Sequence, residues 1–235
     1  KQAYNLVTIL GSGYINYKQF DYGPIFSTFG YNYVEGLRLR VGGRTYFGPN
    51  DKWRLQAYTA YGFKDDKFKY GVSGKWMVDK KNRIILAAGN RRDVEQIGAN
   101  LTGSSDVLGR SFATTSFLSS GTNGKLSNVN LSMFSAEIEP VKNLIFRTEF
   151  THKKLSSASD IFNMDYFTND TYTTTSGEVK QSEVSFQIDF TPNKKSVGYG
   201  VERLYATNPF SRIYANVTQG FKGLLNSDFD YTKLQ

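Results

Sequence analysis

The amino-acid sequence predicts an all-β fold, an antiparallel up-and-down transmembrane β-barrel or the central part of a larger one. Three observations carry this prediction: long segments of alternating apolar and polar residues, short polar turns between them, and basic side chains that keep to the polar phase. Alternation with a period of two places the two kinds of side chain on opposite faces of a strand. A tilted strand needs about 9–11 residues to cross a bilayer, whereas soluble strands average about five or six.

The pattern is clearest in three consecutive segments of the first third of the chain. They span residues 37–47, 53–63 and 68–78 and are joined by polar turns at 48–52 and 64–67. One phase of each segment is apolar or aromatic, and the other carries arginine, lysine, glutamine, serine or glycine. A meander of such strands is typical of outer-membrane barrels.

The rest of the chain predicts six more strands with weaker alternation. They lie near residues 83–90, 126–139, 144–150, 183–190, 197–205 and 213–221. In the second of these, the apolar phase changes between Met133 and Phe134. A change of phase within one strand predicts a β-bulge there.

Two polar stretches, residues 91–125 and 154–180, predict long loops, the first with a short helix near residues 93–97. Residues 1–36 carry the weakest pattern, and residues 25–33 fit either a further strand or an irregular lead-in. Both long loops are therefore expected at the same end of the sheet.

The connections predict an orientation, because successive connections of a meander lie at opposite ends of the sheet. The short set comprises 49–52, 79–82, 140–143 and 192–196, and the alternate set comprises 64–67, 91–125, 154–180 and 206–211. Outer-membrane barrels have short periplasmic turns and long external loops. The first set is therefore predicted to face the periplasm.

Aromatic residues, which favour both interfaces of a membrane, are predicted to form two belts. The periplasmic belt would hold Phe47, Trp53 and Trp76, and the outer belt would hold Tyr61, Phe63, Phe68 and Tyr70. The alternative is that these aromatic side chains fill the core of a soluble sandwich or propeller.

The composition limits the classes of protein that the chain can belong to. Residues 1–235 suit a single barrel domain. The start at Lys1, without methionine or a signal region, indicates a processed product or an excerpt of a longer protein. Because the pattern of the last residues also ends within an element, we expect N- and C-terminal parts of the full protein to be missing. The formal charge is +8, but the basic residues are scattered along strands, so no nucleic-acid partner is expected. No apolar run is long enough for a transmembrane helix.

No catalytic, metal or cofactor site is predicted, and the chain is not expected to be an enzyme. It has no cysteine and no Gly-x-Ser-x-Gly motif, which excludes two common kinds of nucleophile. His152 is the only histidine and stands beside two lysines, where a solvated loop-edge side chain is expected rather than a zinc ligand.

One constellation of side chains stands out, a basic cluster on the polar phase of the first three strands. It comprises Arg38, Arg40, Arg44, Arg54, Lys69 and Lys75. A charge that faced lipid near the midplane would cost about 2–4 kcal/mol, so these side chains should face a lumen. They could select anions or dock a plug, or they could be ordinary lumen lining paired with carboxylates such as Glu149, Glu183 and Asp189.

The first third of the chain resembles a known family. The runs Tyr31 to Thr45 (YNYVEGLRLRVGGRT), Tyr58 to Asp65 (YTAYGFKD) and Phe68 to Gly71 (FKYG), preceded by Tyr22-Gly23-Pro24, look like a Bacteroidota outer-membrane family of unknown function. Its members usually follow a carboxypeptidase-regulatory-like domain, and the family is distantly similar to the barrels of BamA/TamA-type assembly proteins. The resemblance implies a barrel in the cell outer membrane of a Gram-negative bacterium.

The leading functional expectation is a non-enzymatic role in outer-membrane biogenesis, or in transport of proteins or lipoproteins, within a larger envelope complex. The alternatives are a passive, anion-biased channel and a structural subunit that binds partners through loops 91–125 and 154–180. A loop-borne hydrolase is a further alternative, for which no nucleophile–base pair is apparent. The expected partners are outer-membrane lipid and other envelope proteins.

Overall fold

The computed structural model describes residues 13–96, 126–159, 163–168 and 171–235. Twelve strands form one antiparallel sheet, and two small hairpins lie outside it. The strands are β1 Ile15–Tyr17, β2 Phe20–Tyr22, β3 Phe29–Asn32, β4 Gly36–Thr45, β5 Trp53–Gly62, β6 Lys67–Asp79, β7 Ile84–Gln96, β8 Leu126–Val141, β9 Leu144–Ser157, β10 Tyr166–Phe167, β11 Thr175–Ser176, β12 Glu178–Phe190, β13 Ser196–Val197, β14 Leu204–Tyr205, β15 Ile213–Gly220 and β16 Tyr231–Leu234. The prediction of an all-β antiparallel fold is confirmed.

The main sheet is a meander in which strands follow one another in chain order from β4 to β9, then β12, β15 and β16. The described residues otherwise contain only two short 3₁₀ turns, Ile25–Ser27 and Leu224–Asn226. No helix in this part of the chain has the length and apolar character needed to span a membrane.

The N-terminal neighbour of β4 is one strand interrupted by an irregular segment. Both β2 and β3 pair antiparallel with β4, and residues 23–28 bulge away between them. The segment stays attached because the Gly23 amide donates to the Gly42 carbonyl at 3.0 Å and the Arg40 amide to the Thr28 carbonyl at 2.8 Å. Both alternatives for residues 25–33 are thus partly realised.

Several strands extend into stretches that the sequence predicted as loops. The helix predicted near residues 93–97 is wrong, because residues 93–96 belong to strand β7, which ends at Gln96. Ile97, the last residue of that prediction, lies outside the described residues. β9 and β12 likewise extend into the predicted loop 154–180. The physical reason is visible in β7, where Arg91 and Asp93 are polar yet buried within the sheet.

The bulge predicted between Met133 and Phe134 is wrong. The β8–β9 register is continuous from Ser127 to Ile138, and the irregularity falls later, between Ile138 and Val141. The apolar phase changes because the strand has two apolar environments: Met133 is buried, whereas Phe134 is 51% exposed on the opposite face.

The strand predicted near residues 197–205 does not join the main sheet. Instead β12 connects to β15 through residues 191–212, which carry the small hairpin β13–β14. Connection 206–211 therefore belongs to the same end as 192–196, and its predicted place at the other end is wrong. We call the end with connections 46–52, 80–83, 142–143 and 191–212 the turn end, and the opposite end the loop end.

Residues 198–203, here called the inner strap, fold back against the turn end of the sheet. The Gly200 amide donates to the Pro49 carbonyl at 3.0 Å, and the Val201 amide donates to the Asp51 carbonyl at 2.8 Å. The Val201 side chain is buried in a cluster with Met77 and Ile85. The strap thus joins strands that are far from it in the sequence.

The two faces of the sheet have opposite chemistry, with charged residues buried and apolar residues exposed. The inner face holds the buried side chains Arg38, Arg40, Arg54, Lys69, Arg91 and Asp93. The outer face holds the exposed side chains Leu37, Val41, Trp53, Leu55, Phe68, Val72 and Trp76. Apolar side chains normally form the buried part of a protein in water, so this distribution is inverted.

The sheet curves around its inner face. Arg38 on β4 and Asp93 on β7 have two strands between them, which corresponds to about 14 Å in a flat sheet. Their side chains nevertheless meet, with 2.9 Å between Arg38 Nη1 and Asp93 Oδ1. The inner face is therefore concave.

Candidate functional site: the charged inner face

The most deeply buried charges form a cluster at the loop end of the inner face. Arg38 Nη1 lies 2.6 Å from Glu35 Oε1, and the same guanidinium donates two hydrogen bonds to Asp93 at 2.9 and 3.2 Å. The side chains of Arg38, Glu35 and Asp93 have 0% exposure. Charge-assisted bonds of this kind are the arrangement that makes a buried ion tolerable.

The turn between β3 and β4 places Glu35 in this cluster. Asn32 Oδ1 accepts bonds from the amides of Val34 at 3.0 Å and Glu35 at 2.8 Å, which closes an Asx turn. Gly36 follows with φ +64°, a left-handed conformation that glycine adopts without strain. Asn32 Nδ2 then donates to Glu35 Oε2 at 2.6 Å and fixes the carboxylate.

Lys69 completes the cluster from β6. Its Nζ lies 3.0 Å from Glu35 Oε1 and 2.6 Å from Asp65 Oδ2. Asp65 stands in the turn between β5 and β6, so a turn residue again supplies the counter-charge. The two turn carboxylates at the loop end therefore hold two cations from β4 and β6, the strands on either side of β5.

Arg40 follows Arg38 on the inner face of β4, and its partners are an aromatic ring and a hydroxyl group instead of carboxylates. Its guanidinium carbon is 4.2 Å from the centre of the Tyr58 ring, a cation–π contact, and its Nη1 donates to Ser27 Oγ. The Tyr58 hydroxyl donates to Asp93 Oδ2 at 2.5 Å. Tyr58 thus couples Arg40 to the loop-end cluster.

A second cluster occupies the turn end and is centred on Glu202 of the inner strap. This carboxylate forms an ion pair with Arg54, lies 3.3 Å from Lys75 Nζ and is 3.9 Å from Arg44 Nη1. Arg54 also lies 3.1 Å from Asp51. Three of the six predicted basic residues therefore meet one carboxylate from a distant segment.

The pKa of the Glu202 carboxyl follows from this environment. Burial alone would raise that pKa, but the charges of Lys75 and Arg54 outweigh burial and hold it below its usual value. Glu202 is therefore an anion at neutral pH, and its charge attaches the strap to the sheet.

Two further arginines secure the strap. Arg83 Nη2 donates to the carbonyls of Gly200 at 3.0 Å and Val201 at 3.2 Å, and Arg203 Nη1 lies 2.7 Å from Glu139. Burial, together with the nearby charge of Arg203, lowers the pKa of the Arg83 guanidinium. The strap is thus held by both its backbone and its side chains.

A cavity of about 440 Å³ lies beside the strap on the inner face. Its cationic lining residues are Arg44, Lys75, Arg83, Arg147, Arg203 and Arg212, and its anionic ones are Glu137, Asp189 and Glu202. The excess of cations gives the cavity the electrostatic character of an anion site.

All six predicted basic residues lie on the inner face, but the suggested partners Glu183 and Asp189 pair elsewhere, and Glu149 forms no ion pair with any of the six among the described residues. Asp189 pairs with Arg212 at 2.7 Å, and Glu183 lies 3.6 Å from Lys233. Three partners were not predicted from the sequence. Glu35 lies in the weakly patterned residues 1–36, Asp93 lies in a predicted loop, and Glu202 lies in a predicted strand of the sheet. The charged inner phase of β7, with Arg91, Asp93 and Glu95 at spacing two, was the signal that could have revealed one of them.

The seven predicted interface aromatics lie in two groups at opposite ends of the outer face. At the turn end, the rings of Phe47 and Trp53 are 4.8 Å apart, and Trp53 stands opposite Trp76 in the register. At the loop end, Tyr61 packs against Phe63 at 5.2 Å and Phe68 at 4.8 Å. Tyr70, also exposed, lies one outer position further along β6.

The predicted loop-edge position of His152 is wrong. The residue lies inside β9, where its Nδ1 is 2.9 Å from Ser182 Oγ on β12. Among the described residues, no group of three acidic or histidine side chains is placed to hold a metal ion. The carboxylates of Glu35, Asp93 and Glu202 on the inner face are engaged with arginine and lysine.

The fold and site define a class of protein: an antiparallel β-meander with an exposed apolar face, a concave charged face and an internal strap. Within that class, the chain belongs to the family described as "Family of unknown function (DUF5686) C-terminal domain", whose model matches residues 6–235. The comparisons with curated proteins and with solved structures returned no match.

Proposed function

We propose that this chain is the lipid-embedded β-barrel domain of an integral outer-membrane protein. The observation that carries the proposal is the inverted distribution of side chains, with Arg38 fully buried while Val72 and Trp76 are 47% and 58% exposed. Apolar side chains facing outward and polar side chains facing inward are the pattern of membrane barrels. The resemblance of residues 31–71 to an outer-membrane family supports the same proposal.

The slope of the outer apolar band supports it further. On β5 the band centres near residue 58, whereas on β12 the apolar outer residues run from Val184 to Phe190. The pairings β5–β6, β6–β7, β7–β8, β8–β9 and β9–β12 connect these two strands. Across these five pairings, the centre of the apolar band shifts by about six residues toward the turn end. Such a shift over five strand spacings corresponds to a strand tilt of about 40°. Strands of membrane barrels tilt by about 35–45°.

The proposed orientation places the turn end in the periplasm and the loop end outside. Connections 97–125 and 158–177 at the loop end are long, whereas 80–83 and 142–143 at the turn end are short. The long connection 191–212 is an exception at the turn end, and its inner strap folds back against the sheet instead of projecting away. The two aromatic groups then lie at the two interfaces.

A role within a larger envelope assembly, in biogenesis or in transport of proteins or lipoproteins, is favoured over an open pore. The inner strap crosses the turn end, and buried ion pairs bind the cations that would line a conducting path. A barrel with a plugged interior acts through its walls, its loops or a movable plug. The distant resemblance to the barrels of BamA/TamA-type assembly proteins favours the same kind of role, in outer-membrane biogenesis.

An anion-biased channel is the second candidate, because the cavity beside the strap has more cations than anions in its lining. In this reading the strap would have to leave the cavity for current to pass. A third candidate is a structural subunit that binds partner proteins through the connections at the loop end.

Planar-bilayer recording of the full-length protein separates these candidates. We expect no steady current from the wild type, and co-purification of a defined complex from detergent-solubilised membranes. A stable, anion-selective wild-type current that falls on Arg44→Ala would support the channel instead. Lys81→Ala, on an exposed turn, is the neutral control for Arg44→Ala in the current recordings. A monomer that is soluble in water without detergent would overturn the membrane proposal.

A further inference from the structure

On the outer face, one row of residues that pair with each other across the strands changes from aromatic to basic. The row begins with Thr59 on β5, which pairs with Tyr70 on β6, and it continues on the next four strands with Arg92, Asn130, Lys154 and Lys180. Because the apolar band slopes toward the turn end, these last four residues lie beyond its loop-end border. The border is therefore basic where it crosses β7, β9 and β12.

A cavity of about 340 Å³ opens at this border. Lys67, Arg92, Lys154 and Asn130 contribute polar groups to it, and Phe68 and Val94 contribute apolar surface. Phe68 lines the cavity and also belongs to the aromatic group at the loop end of the outer face, where it is 71% exposed. The cavity is therefore continuous with that aromatic group.

The charges at this cavity are only partly compensated. Lys154 Nζ lies 2.6 Å from Glu178 Oε2, and Lys180 Nζ lies 3.3 Å from the other oxygen of the same carboxylate. Arg92 is exposed and forms no ion pair with any residue that the structure describes. Lys69 and Asp93 also line the cavity, but both are already paired within the loop-end cluster. Lys67, Arg92 and Lys154 therefore give the cavity its positive character.

We propose that this cavity binds the phosphate of a membrane-lipid headgroup. An arginine fork and lysine ammonium groups are strong donors to phosphate oxygens, and the Asn130 amide adds a neutral donor. The apolar band begins directly below the cavity, so acyl chains of the same molecule would lie along Phe68 and its neighbours. That continuity favours a lipid over free phosphate, and the proposal rests on the membrane function proposed above.

Native mass spectrometry of the full-length protein in nanodiscs tests this site. The nanodiscs contain phosphatidylcholine with a minor fraction of phosphatidic acid, and the retained lipid is counted for the wild type and for R92Q/K154Q. The matched control is K80Q/K81Q, which removes the same charge from the exposed turn at the opposite end. We expect the wild type and the control to retain phosphatidic acid, and R92Q/K154Q to bind it about fivefold more weakly for each cation removed.

Equal retention by R92Q/K154Q and by the control would overturn the site while leaving the membrane proposal intact. Failure of the protein to enter nanodiscs would overturn both. A second arm adds inorganic phosphate to the detergent-solubilised protein without lipid, where we expect no Arg92-dependent thermal stabilisation. Stabilisation by inorganic phosphate as strong as that by phosphatidic acid would identify free phosphate as the ligand and overturn the lipid assignment.

Discussion

At the scale of single residues, Arg38 illustrates how this chain tolerates a charge without exposed surface. Its guanidinium lies against two carboxylates, Glu35 and Asp93, whose own side chains are equally buried. The attraction within such a group largely offsets the desolvation of its members, so removal of one member leaves an uncompensated charge. The inner face is therefore sensitive to single substitutions.

Arg38→Ala is expected to lower the free energy of unfolding by about 3–5 kcal/mol, because two carboxylates lose their main counter-charge. Chemical unfolding of the full-length protein in detergent micelles measures the change. Lys81→Ala, on an exposed turn, is the control and should change stability by no more than about 0.5 kcal/mol. A loss below about 1 kcal/mol for Arg38→Ala would mean that this cluster is hydrated rather than buried.

Glu202 predicts a pH dependence of the strap. Because its pKa is lowered in the folded state, the carboxylate stabilises the fold above the unfolded value of about 4.3, and this contribution is lost as pH falls through the lower folded value. Unfolding free energies of the wild type and Glu202→Gln should differ at pH 7 and converge as the solution is acidified. A difference that grows on acidification would contradict the assigned ion pairs.

At the scale of elements, the outer faces of the strands and the inner strap follow different physical rules. β4, β5 and β6 place apolar side chains outward, where a protein in water would expose polar ones. The strap buries Val201 against Met77 and Ile85 on the inner side of the same sheet. The small apolar cluster under the strap thus lies within a mostly charged interior.

Val72→Arg tests the outer face of β6 at the centre of its apolar segment. In a bilayer the substitution should cost about 2–4 kcal/mol, whereas on a water-exposed surface it should change stability by no more than about 0.5 kcal/mol. The matched control is Asn128→Arg, which lies on the same face of β8 beyond the apolar band. Unfolding in lipid vesicles measures both, and equal small effects would sink the assignment of this face to lipid.

The strands β4 to β6 were predictable from the sequence because strict alternation with a period of two survives over their whole length. The position of the basic cluster followed from the same alternation, since a side chain's phase fixes its face. The aromatic residues of the three strands were placed on the opposite face for the same reason. Local pattern was sufficient wherever each face had a single chemistry.

The remaining features depended on tertiary context that local pattern does not contain. The segment around Val201 alternates like a strand, yet it forms the strap because Glu202 and the strap backbone find partners on the inner face. Asp93 was assigned to a loop because polar residues on the inner phase of β7 resemble loop residues. Met133 and Phe134 suggested a bulge because one strand has apolar surroundings on both faces.

At the scale of the whole molecule, a single curved sheet separates two environments. Its concave side holds ion pairs, a strap and a cavity, and its convex side carries an apolar band whose slope matches tilted strands. This arrangement has a direct consequence for the surroundings of the protein. An exposed apolar band of this extent requires cover, and in our proposal lipid supplies it.

The two tryptophans of the chain provide the most direct measurement. Trp53 and Trp76 face each other on the outer face, 42% and 58% exposed. The full-length protein, with any tryptophan outside residues 1–235 replaced by phenylalanine, is reconstituted into vesicles of acyl-chain-brominated phospholipid. A matched variant carries Gln56→Trp on the inner face in a Trp53→Phe/Trp76→Phe background.

Lipid contact predicts strong bromine quenching and blue-shifted emission for Trp53 and Trp76, and little quenching for the variant with tryptophan at position 56. Unquenched, water-like emission from Trp53 and Trp76 in correctly folded protein would contradict the claim that the outer face of this sheet lies in the membrane.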